Sequence, residues 1–365
     1  MDFRKLLPLG IVILLLAVYG WFTRNPAATS APDVLGDIEL FSGVPGIQES
    51  VSPVPVSHPT LDSIFAADHS WVNALPPEKT VTMIATGDVI PARSVNSGMV
   101  ARNNFRWPFE KTADVLSAAD MTVINLETPL ISSCVARIDG MVFCGSPRAA
   151  EGLTYAGVDI ATLGNNHVGN YSEAGIEETK QVLALAGILP VSDAIAYKTV
   201  KGATFAFLAY NDIGSAEPGV PWADQEKIIR DIKEAKAHAD VVVVAYHWGT
   251  EYVTLPNARQ RELAHMAVDS GADVVLGNHP HWVEPVELYK DAFIIYAHGN
   301  FVFDQEWSEE TKRGVVGKYV FYDNKLIDVE YLPVRIVDYG QPYFLAQDEA
   351  ASVLKAMEQA SRDLR

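Results

Sequence analysis

Two histidines separated by a single residue, His279 and His281, closely follow an apolar run at residues 272–276. A continuous apolar run of this length, bounded by glycines, is typical of a strand that is covered on both faces. Two imidazoles just past such a strand can reach the same ion, and imidazole is a common ligand of zinc, iron, copper and nickel. A histidine-rich turn that binds nothing would have the same sequence, so this motif alone leaves both interpretations open.

Further ligand-type side chains follow other apolar runs of the chain. Five of the nine histidines come just after predicted strands: His167, His247, His279, His281 and His298. The other four lie in a linker or on predicted helices, where we expect structural or solvated roles: His58, His69, His238 and His265. Asp88 and Glu127 place carboxylates at equivalent positions after two earlier strands. Together these residues predict a metal centre.

The predicted ligands fit two cations better than one. A carboxylate such as Glu127 can bridge two ions, and the remaining ligands then divide into two sets: Asp88 and His281 for one ion, and Asn166, His247 and His279 for the other. Two neighbouring divalent cations hold a phosphoryl oxygen and generate a hydroxide near neutral pH. The expected chemistry is therefore metal-assisted hydrolysis.

Four more polar residues are candidates for catalysis or substrate binding. His167 follows a predicted ligand and is itself free to protonate a leaving oxygen, so it is the predicted catalytic acid. Arg93 is a candidate contact for an anion, although a surface arginine is nearly as simple an interpretation. Asn165 and His298 are predicted to contact the substrate, and His298 could instead act as a ligand or as a polar wall.

Alternating strands and helices must position these residues. The apolar runs predict strands at residues 81–86, 121–124, 158–163, 204–210, 241–246, 272–276 and 293–297. The remaining pattern predicts helices at residues 111–119, 147–156, 173–186, 224–238 and 258–270, a hairpin at residues 316–334 and a last helix at residues 347–360. This alternation predicts a layered α/β fold, in which ligands bind at the carboxyl ends of strands.

The N-terminal residues predict membrane attachment. Residues 6–22 are nearly all apolar and follow Arg4 and Lys5, and their length is at the lower limit for a membrane span. The expected topology is a single-pass anchor in the cell membrane, with the N-terminus cytoplasmic and the domain extracytoplasmic. A cleavable signal peptide is the alternative, but no clear cleavage site follows, and Trp21 and Phe22 suit an interfacial anchor.

The chain contains two cysteines, Cys134 and Cys144. An oxidising extracytoplasmic compartment would let them form a disulfide across a short segment. The alternatives are two unpaired buried thiols or a metal-binding pair, and the latter lacks neighbouring ligands of zinc-finger spacing.

The acidic composition excludes one class of partner. The formal net charge is -18 at pH 7, whereas nucleic-acid binding requires a basic surface. An anionic substrate would also be repelled at long range, so it would need a local positive centre such as bound metal ions.

Six short motifs resemble, in their order along the chain, the CapA-type capsule-synthesis (poly-gamma-glutamate biosynthesis) family. They are Gly87-Asp88 and the segments at residues 125–127, 165–167, 247–252, 277–281 and 299–305. That family resembles the calcineurin-like metallophosphoesterases in fold. The resemblance implies a four-layer α-β-β-α sandwich with two divalent ions, Mn, Fe or Zn, in a membrane-attached protein that faces outward. It also implies a role in making or exporting an anionic surface polymer.

We expect the chain to divide into four parts: a membrane anchor at residues 1–24, a linker rich in Pro, Ser and Ala at residues 25–78, a CapA-like domain of the metallophosphatase type at residues 79–340, and a C-terminal helix packed on it at residues 341–365. The expected partners are an anionic polymer or phosphoester substrate, other capsule-synthesis membrane proteins, and the membrane.

Three positions depart from the pattern that the resemblance implies. Metallophosphoesterases have a histidine two residues after the first aspartate, where this chain has Ile90, so the first ion would lose a ligand. The family has an acidic residue where Asn170 stands, and His298 replaces an apolar residue before Gly299.

Two functions remain open from the sequence. The first is a dinuclear metal hydrolase that cleaves a phosphoester or another polymer-linked bond. The second is an assembly component that binds polymer or partner proteins without turnover. A hydrolase that uses only paired carboxylates fits less well, because the polar sites are dominated by histidine.

Overall fold

The computed structural model describes residues 57–364, which form fourteen strands in two sheets. In chain order the strands are β1 (Thr80–Val89), β2 (Met121–Leu126), β3 (Ile160–Thr162), β4 (Leu189–Val191), β5 (Ala196–Val200), β6 (Ala203–Asn211), β7 (Val241–His247), β8 (Val274–Asn278), β9 (Val286–Tyr289), β10 (Ala292–Ile295), β11 (Asn300–Val302), β12 (Arg313–Tyr322), β13 (Lys325–Val337) and β14 (Gln341–Phe344). The first sheet has the order β14-β13-β12-β1-β2-β3-β4, with β11 paired to β1, and the second has the order β5-β6-β7-β8-β10-β9.

The same residues form eight α-helices. These are α1 (Leu61–Ile64), α2 (Arg93–Arg102), α3 (Ala113–Leu116), α4 (Ala149–Tyr155), α5 (Ser172–Leu185), α6 (Gln225–His238), α7 (Ala258–Ser270) and α8 (Gln347–Asp363). Short 3₁₀ turns lie at Ser70–Ala74, Trp107–Phe109 and Val168–Tyr171. Asn257 caps α7 in a capping box with Gln260, which satisfies backbone N–H groups that the first helical turn leaves free.

The two sheets pack face to face. Alternate residues of each strand lie on opposite faces of its sheet, so each strand contributes to two different cores. In β6, Phe205 and Phe207 join the core between the sheets, whereas Ala206 and Leu208 join a second core on the outer face. The valines of β7 divide in the same way. Both faces are covered, which explains why these strands are continuous apolar runs in the sequence.

Helices cover both outer faces. Ile228 and Ile232 of α6 and Leu263 of α7 pack on the second sheet. Met99 of α2 and Leu183 of α5 pack on the first sheet, together with residues of α3 and α4. The result is a four-layer α-β-β-α sandwich, which confirms the predicted fold class.

The end of the predicted linker belongs to the folded domain. α1 buries Leu61 and Ile64 in the core between the sheets, and His69 Nδ1 lies 2.8 Å from the carboxylate of Asp328 on β13. The linker prediction extended too far because it relied on the prolines of this region and overlooked the capping box at Thr60.

The first sheet continues beyond residue 340. Residues 341–344, which we grouped with the C-terminal helix, form the edge strand β14 and pair with β13. α8 follows and adds Met357 to the core between the sheets. Its Ser361 Oγ accepts a hydrogen bond from the backbone N–H of Val286 at 2.9 Å, so the C-terminal helix is attached to the second sheet as well.

Two helices differ from the prediction. α2 was not predicted, because Gly98 and several polar residues leave it with little apolar periodicity. The helix predicted at residues 111–119 is reduced to the single turn of α3.

The predicted membrane anchor at residues 6–22 lies outside the described residues. Among residues 57–364, none of the helices has both the length and the apolar character that a membrane span requires. The anchor therefore stays a prediction.

Candidate metal centre

The carboxyl ends of parallel strands from both sheets meet at one place. β1 and β2 run parallel with Asp88 opposite Asn125, and β7 and β8 run parallel with His247 opposite Asn278. The sheets touch here, since Asn125 Nδ2 lies 3.2 Å from His247 Nδ1. Polar residues that are far apart in the sequence are thereby buried together.

Asp88, Glu127 and His281 form a first group of ligand-type side chains. Each offers one ligand atom, and these atoms lie within 4.8 Å of one another. Asp88 Oδ2 is 3.2 Å from His281 Nδ1, and Asp88 Oδ1 accepts a hydrogen bond from Asn125 Nδ2 at 2.8 Å. All three side chains are almost completely buried.

Glu127, His247 and His279 form a second group with ligand atoms within the same 4.8 Å limit. His247 Nε2 is 3.3 Å from Glu127 Oε1 and 3.2 Å from His279 Nδ1. Glu127 belongs to both groups, which is the position expected of a bridging carboxylate.

Unpaired buried acceptors on the loops after β2 and β3 fit a cation. Both carboxylate oxygens of Glu127 and Oδ1 of Asn166 are buried and have no hydrogen-bond partner within residues 57–364. A buried carboxylate without hydrogen bonds is unfavourable, and a bound cation would offset that cost. Imidazole nitrogens combined with carboxylate and amide oxygens form a donor set that suits Mn, Fe or Zn.

The pKa shifts show how closely these groups interact. Burial, followed by the neighbouring Asp88, raises the pKa of Glu127 well above its usual range. Burial lowers the pKa of His247 to about 3 and the pKa of His279 well below its ordinary value. These two imidazoles are therefore neutral near pH 7, which is the form that binds metal.

His281 differs from the other two histidines of the site. Burial opposes its charged form, but the hydrogen bond with Asp88 and the nearby carboxylate of Glu127 outweigh burial and raise the pKa of His281 to about 9. A cation that bound here would therefore displace a proton from His281.

His167, the predicted catalytic acid, lies on the loop after β3. Its Nδ1 is 3.0 Å from Asn170 Oδ1, and its ring stacks on Phe143 with 3.9 Å between centroids. Because an amide oxygen only accepts hydrogen bonds, Nδ1 carries the proton and Nε2 has a free lone pair. Burial lowers the pKa of His167 to about 4, so Nε2 must take up a proton before it can donate one.

Asn165, which we predicted to contact the substrate, is occupied inside the protein. Its Nδ2 donates to Asn125 Oδ1 at 3.2 Å and to the carbonyl of Leu126 at 2.9 Å. Its Oδ1 accepts from the backbone N–H of Val168 at 2.9 Å. The side chain is fully buried, so Asn165 connects the loops after β2 and β3 and is not a substrate contact.

His298 is also a structural residue. Its Nδ1 lies 3.1 Å from the carbonyl of Gly277, and its Nε2 lies 3.2 Å from the hydroxyl of Tyr319. The ring is fully buried and belongs to neither ligand group. The predicted role as a substrate contact or ligand was wrong, because both ring nitrogens are engaged behind the site.

Arg93, the candidate anion contact, lies at the start of α2. Its guanidinium pairs with Asp304, and Nη1 donates to the carbonyl of Gly140 at 3.4 Å. Its Cζ lies 4.9 Å from the ring centroids of both Phe143 and Phe303. Most of its positive charge is therefore offset by Asp304, and its contacts hold the loop at residues 134–144 against α2.

A disulfide joins Cys134 to Cys144 and closes that loop. The loop reaches the site through Phe143, whose ring stacks on His167 and whose backbone N–H donates to Asn170 Oδ1 at 2.6 Å. The pairing expected from the sequence therefore fixes a segment that contacts the candidate catalytic histidine.

The family model described as bacterial capsule synthesis protein PGA_cap matches residues 82–305. The chain belongs to this family. It is 34% identical over 275 residues to the PGA biosynthesis protein CapA of Bacillus subtilis (strain 168), covering 68% of this chain and 72% of that protein. It is 30% identical over 285 residues to the capsule biosynthesis protein CapA of Bacillus anthracis, covering 72% and 69%.

Similarity to solved structures is weaker. A crystal structure described as a novel phosphatase from Mycoplasma pneumoniae is 15% identical, with a TM-score of 0.47, and the match covers 70% of this chain and 94% of that one.

This PGA_cap chain has no ligand at the position two residues after Asp88. Ile90 is fully buried there and packs in a small apolar cluster with Ala92, Phe143 and Phe303. Apolar side chains surround this position, which agrees with the departure noted in the sequence.

Glu251 is a residue of the PGA_cap site that we did not predict. It forms a third group of ligand-type side chains with His279 and His281, whose ligand atoms again lie within 4.8 Å of one another. A signal was present in the sequence, because Glu251 is part of the motif at residues 247–252. It was overlooked because it lies on a loop and does not directly follow a strand.

Proposed function

We propose that this PGA_cap protein is a metal-dependent hydrolase that cleaves a phosphoester or another bond linked to an anionic capsule polymer of the poly-gamma-glutamate type. The main support is the pair of ligand groups that share Glu127, whose buried oxygens have no hydrogen-bond partner in the described part of the chain. The names of the two Bacillus relatives, which refer to PGA and capsule biosynthesis, support the polymer context.

Two divalent ions, of Mn, Fe or Zn, would be held by side chains of both sheets. Asp88, Glu127 and His281 would hold one, and Glu127, Asn166, His247 and His279 would hold the other. Such ions polarise a phosphoryl oxygen and lower the pKa of water. The net charge of -18 makes local positive charge necessary if an anionic substrate is to approach.

His167 would deliver a proton to the leaving oxygen of the substrate. Its Nε2 takes up a proton and passes it to the leaving oxygen, while Asn170 holds Nδ1 at 3.0 Å and Phe143 holds the ring by stacking. An amide at residue 170 fixes the tautomer without adding a negative charge, so it raises the pKa of His167 less than a carboxylate would.

The proposed setting is the outer face of the cell membrane. Residues 1–24 would anchor the chain with its N-terminus in the cytoplasm, and the linker would lead to an extracytoplasmic domain that includes residues 79–340 and the C-terminal helix. Other capsule-synthesis membrane proteins would be its partners. The disulfide supports an oxidising compartment.

An assembly component without turnover is the second candidate. The apolar cluster around Ile90 supports it, because it removes a position from which metallophosphoesterases bind the first ion. Such a protein would retain the fold and bind polymer or partner proteins.

Elemental analysis and a phosphodiesterase assay on the same sample of full-length protein test the proposal. We expect the parent protein to contain divalent metal and to require it for turnover. Glu127→Gln should lose metal, because it removes the shared negative charge, whereas His238→Ala on the exposed end of α6 should not. Bound metal without turnover on a panel of phosphoesters and polymer substrates would favour the assembly component. A parent protein that binds no metal would refute both the proposed metal site and the proposed metal-dependent hydrolysis.

A further inference from the structure

The loop after β7 places one exposed carboxylate beside a buried metal-ligand cluster. Glu251 is exposed, whereas His279 and His281 are buried, and one ligand atom from each lies within 4.8 Å of the others. This group meets the same 4.8 Å distance limit as the two groups that contain Glu127. Glu251 is thus a third carboxylate within reach of the site, and it approaches from the solvent side.

The backbone holds this loop firmly against the histidines. The backbone N–H of Tyr252 donates to the carbonyl of Pro280 at 2.9 Å, which lies between His279 and His281. Tyr252 has a φ of 61°, a left-handed conformation that a bulky residue adopts only when its surroundings enforce it. The position of Glu251 is therefore determined by the same turn that positions the two histidines.

The side chain of Tyr252 adds a second attachment. Its ring lies over that of His281 with 6.1 Å between centroids, and its hydroxyl accepts a hydrogen bond from Gln305 Nε2 at 3.1 Å. A tyrosine that is held through both its ring and its hydroxyl keeps the neighbouring carboxylate near His281.

The first proposed ion has few protein ligands among the described residues. Asp88, Glu127 and His281 offer three protein ligands, and the position two residues after Asp88 offers none because Ile90 is apolar and buried. We propose that Glu251 is a further metal ligand, which supplies a carboxylate oxygen to the ion at His281 from the loop after β7. This inference rests on the proposed metal-dependent function and assigns a ligand to that site.

A carboxylate ligand from an exposed loop has a specific consequence. Aspartate and glutamate are harder ligands than histidine, so Glu251 in place of a histidine would favour Mn²⁺ over softer ions at this ion site. The ligand also lies on the solvent side, where it could be lost or regained without unfolding of either sheet.

A calorimetric titration of Mn²⁺ into chelator-treated full-length protein tests the inference without any activity assay. We expect two binding steps in the parent protein. In Glu251→Gln, which keeps the size of the side chain but removes its charge, one step should weaken by about tenfold or more while the other is unchanged.

The matched control is Glu262→Gln, an exposed glutamate on α7 that pairs with Arg259 and belongs to none of the three ligand groups. It should bind Mn²⁺ as the parent does. Thermal unfolding in excess chelator should be the same for all three proteins, which excludes misfolding as the cause of a change. Identical titrations of Glu251→Gln and the parent would overturn the inference alone, whereas a parent that binds no Mn²⁺ or Zn²⁺ would overturn the proposed metal-dependent function as well.

Discussion

Asn125 shows how a residue that binds no ion can organise the site. Its Nδ2 is 2.8 Å from Asp88 Oδ1 and 3.2 Å from His247 Nδ1, so one amide contacts a member of each of the two groups that contain Glu127. Its Oδ1 accepts from Asn165, which fixes the orientation of the amide. A chain of two asparagines thus connects the loop that contains His167 to the two groups that contain Glu127.

At the residue scale, we predict that His167→Ala separates proton transfer from metal binding. The variant should retain its metal, because His167 belongs to none of the three ligand groups, but turnover should fall by about 10²–10⁴-fold, the usual contribution of acid–base catalysis. Parallel measurements of metal content and of initial rates with a phosphodiester substrate check this. Asn166→Ala is the matched comparison and should lose metal as well as rate. Unchanged turnover in His167→Ala would exclude the proposed proton-transfer role.

At the scale of elements, the segment before β1 is attached to the β12–β13 hairpin by a titratable pair. His69 Nδ1 lies 2.8 Å from Asp328 Oδ2, and both side chains are buried. The hydrogen bond with Asp328 raises the pKa of His69 and outweighs burial, which opposes the charged form. The folded protein therefore binds this proton more tightly than the unfolded chain does.

This raised pKa predicts the direction of a pH effect on stability. The stabilisation from His69 should be fully present below the pKa of an unfolded histidine, about 6.5, and should be lost as pH rises through the higher pKa of the folded protein. Thermal unfolding of the parent and of His69→Gln at a series of pH values checks this. The difference in melting temperature should be largest in mild acid and should shrink at alkaline pH, and a difference that grew with pH would contradict the assignment.

The disulfide-closed loop is the element that we expect to couple stability to activity. Cys134→Ser with Cys144→Ser should lower the free energy of unfolding by roughly 2–3 kcal/mol, the effect of a loop of this length in the chain-entropy model. Turnover should fall while metal content stays constant, because Phe143 contacts His167 but belongs to none of the three ligand groups. Denaturant unfolding and elemental analysis measure the two effects. Thiols that label readily in denatured protein without reduction would show that the native chain lacks the bridge.

At the scale of the whole molecule, features with local causes were predictable from the sequence. The valines of β7 pack on both sides of the sheet and therefore form an unbroken apolar run. Asp323 and Asn324 adopt φ angles of 45° and 65°, and these residue types tolerate that conformation and indicated the hairpin. Gly187 follows the end of α5 with a φ of 78°, a left-handed conformation that glycine adopts without a steric penalty.

Features that depend on distant partners were not predictable. Asn165 and His298 follow strands just as Asn166 and His279 do, and only the folded chain shows that their hydrogen bonds are satisfied internally. Glu251 reaches the site because Tyr252 bonds to Pro280, a contact between separate loops. The sequence therefore indicates which residue types gather at the strand ends but cannot divide them into ligands and supports.

The predicted topology concerns the entire chain. A reporter that is active only outside the cytoplasm should be active when it is fused to the C-terminus. This is expected because the positive residues before the apolar segment retain the N-terminus in the cytoplasm. Fractionation should find the full-length chain with the membrane. A cytoplasmic reporter would refute this topology, and a shortened chain in the medium would indicate a cleaved signal peptide.

The bridge between Cys134 and Cys144 also implies an order of events in time. None of the fourteen strands of the described residues and none of the three ligand groups contains a cysteine. Phe143 would then be held against His167 by noncovalent contacts alone, until oxidation closed the loop. Under the proposed hydrolase function and extracytoplasmic location, full activity would thus appear only after oxidation, and phosphoesters of the cytoplasm would not meet the oxidised protein.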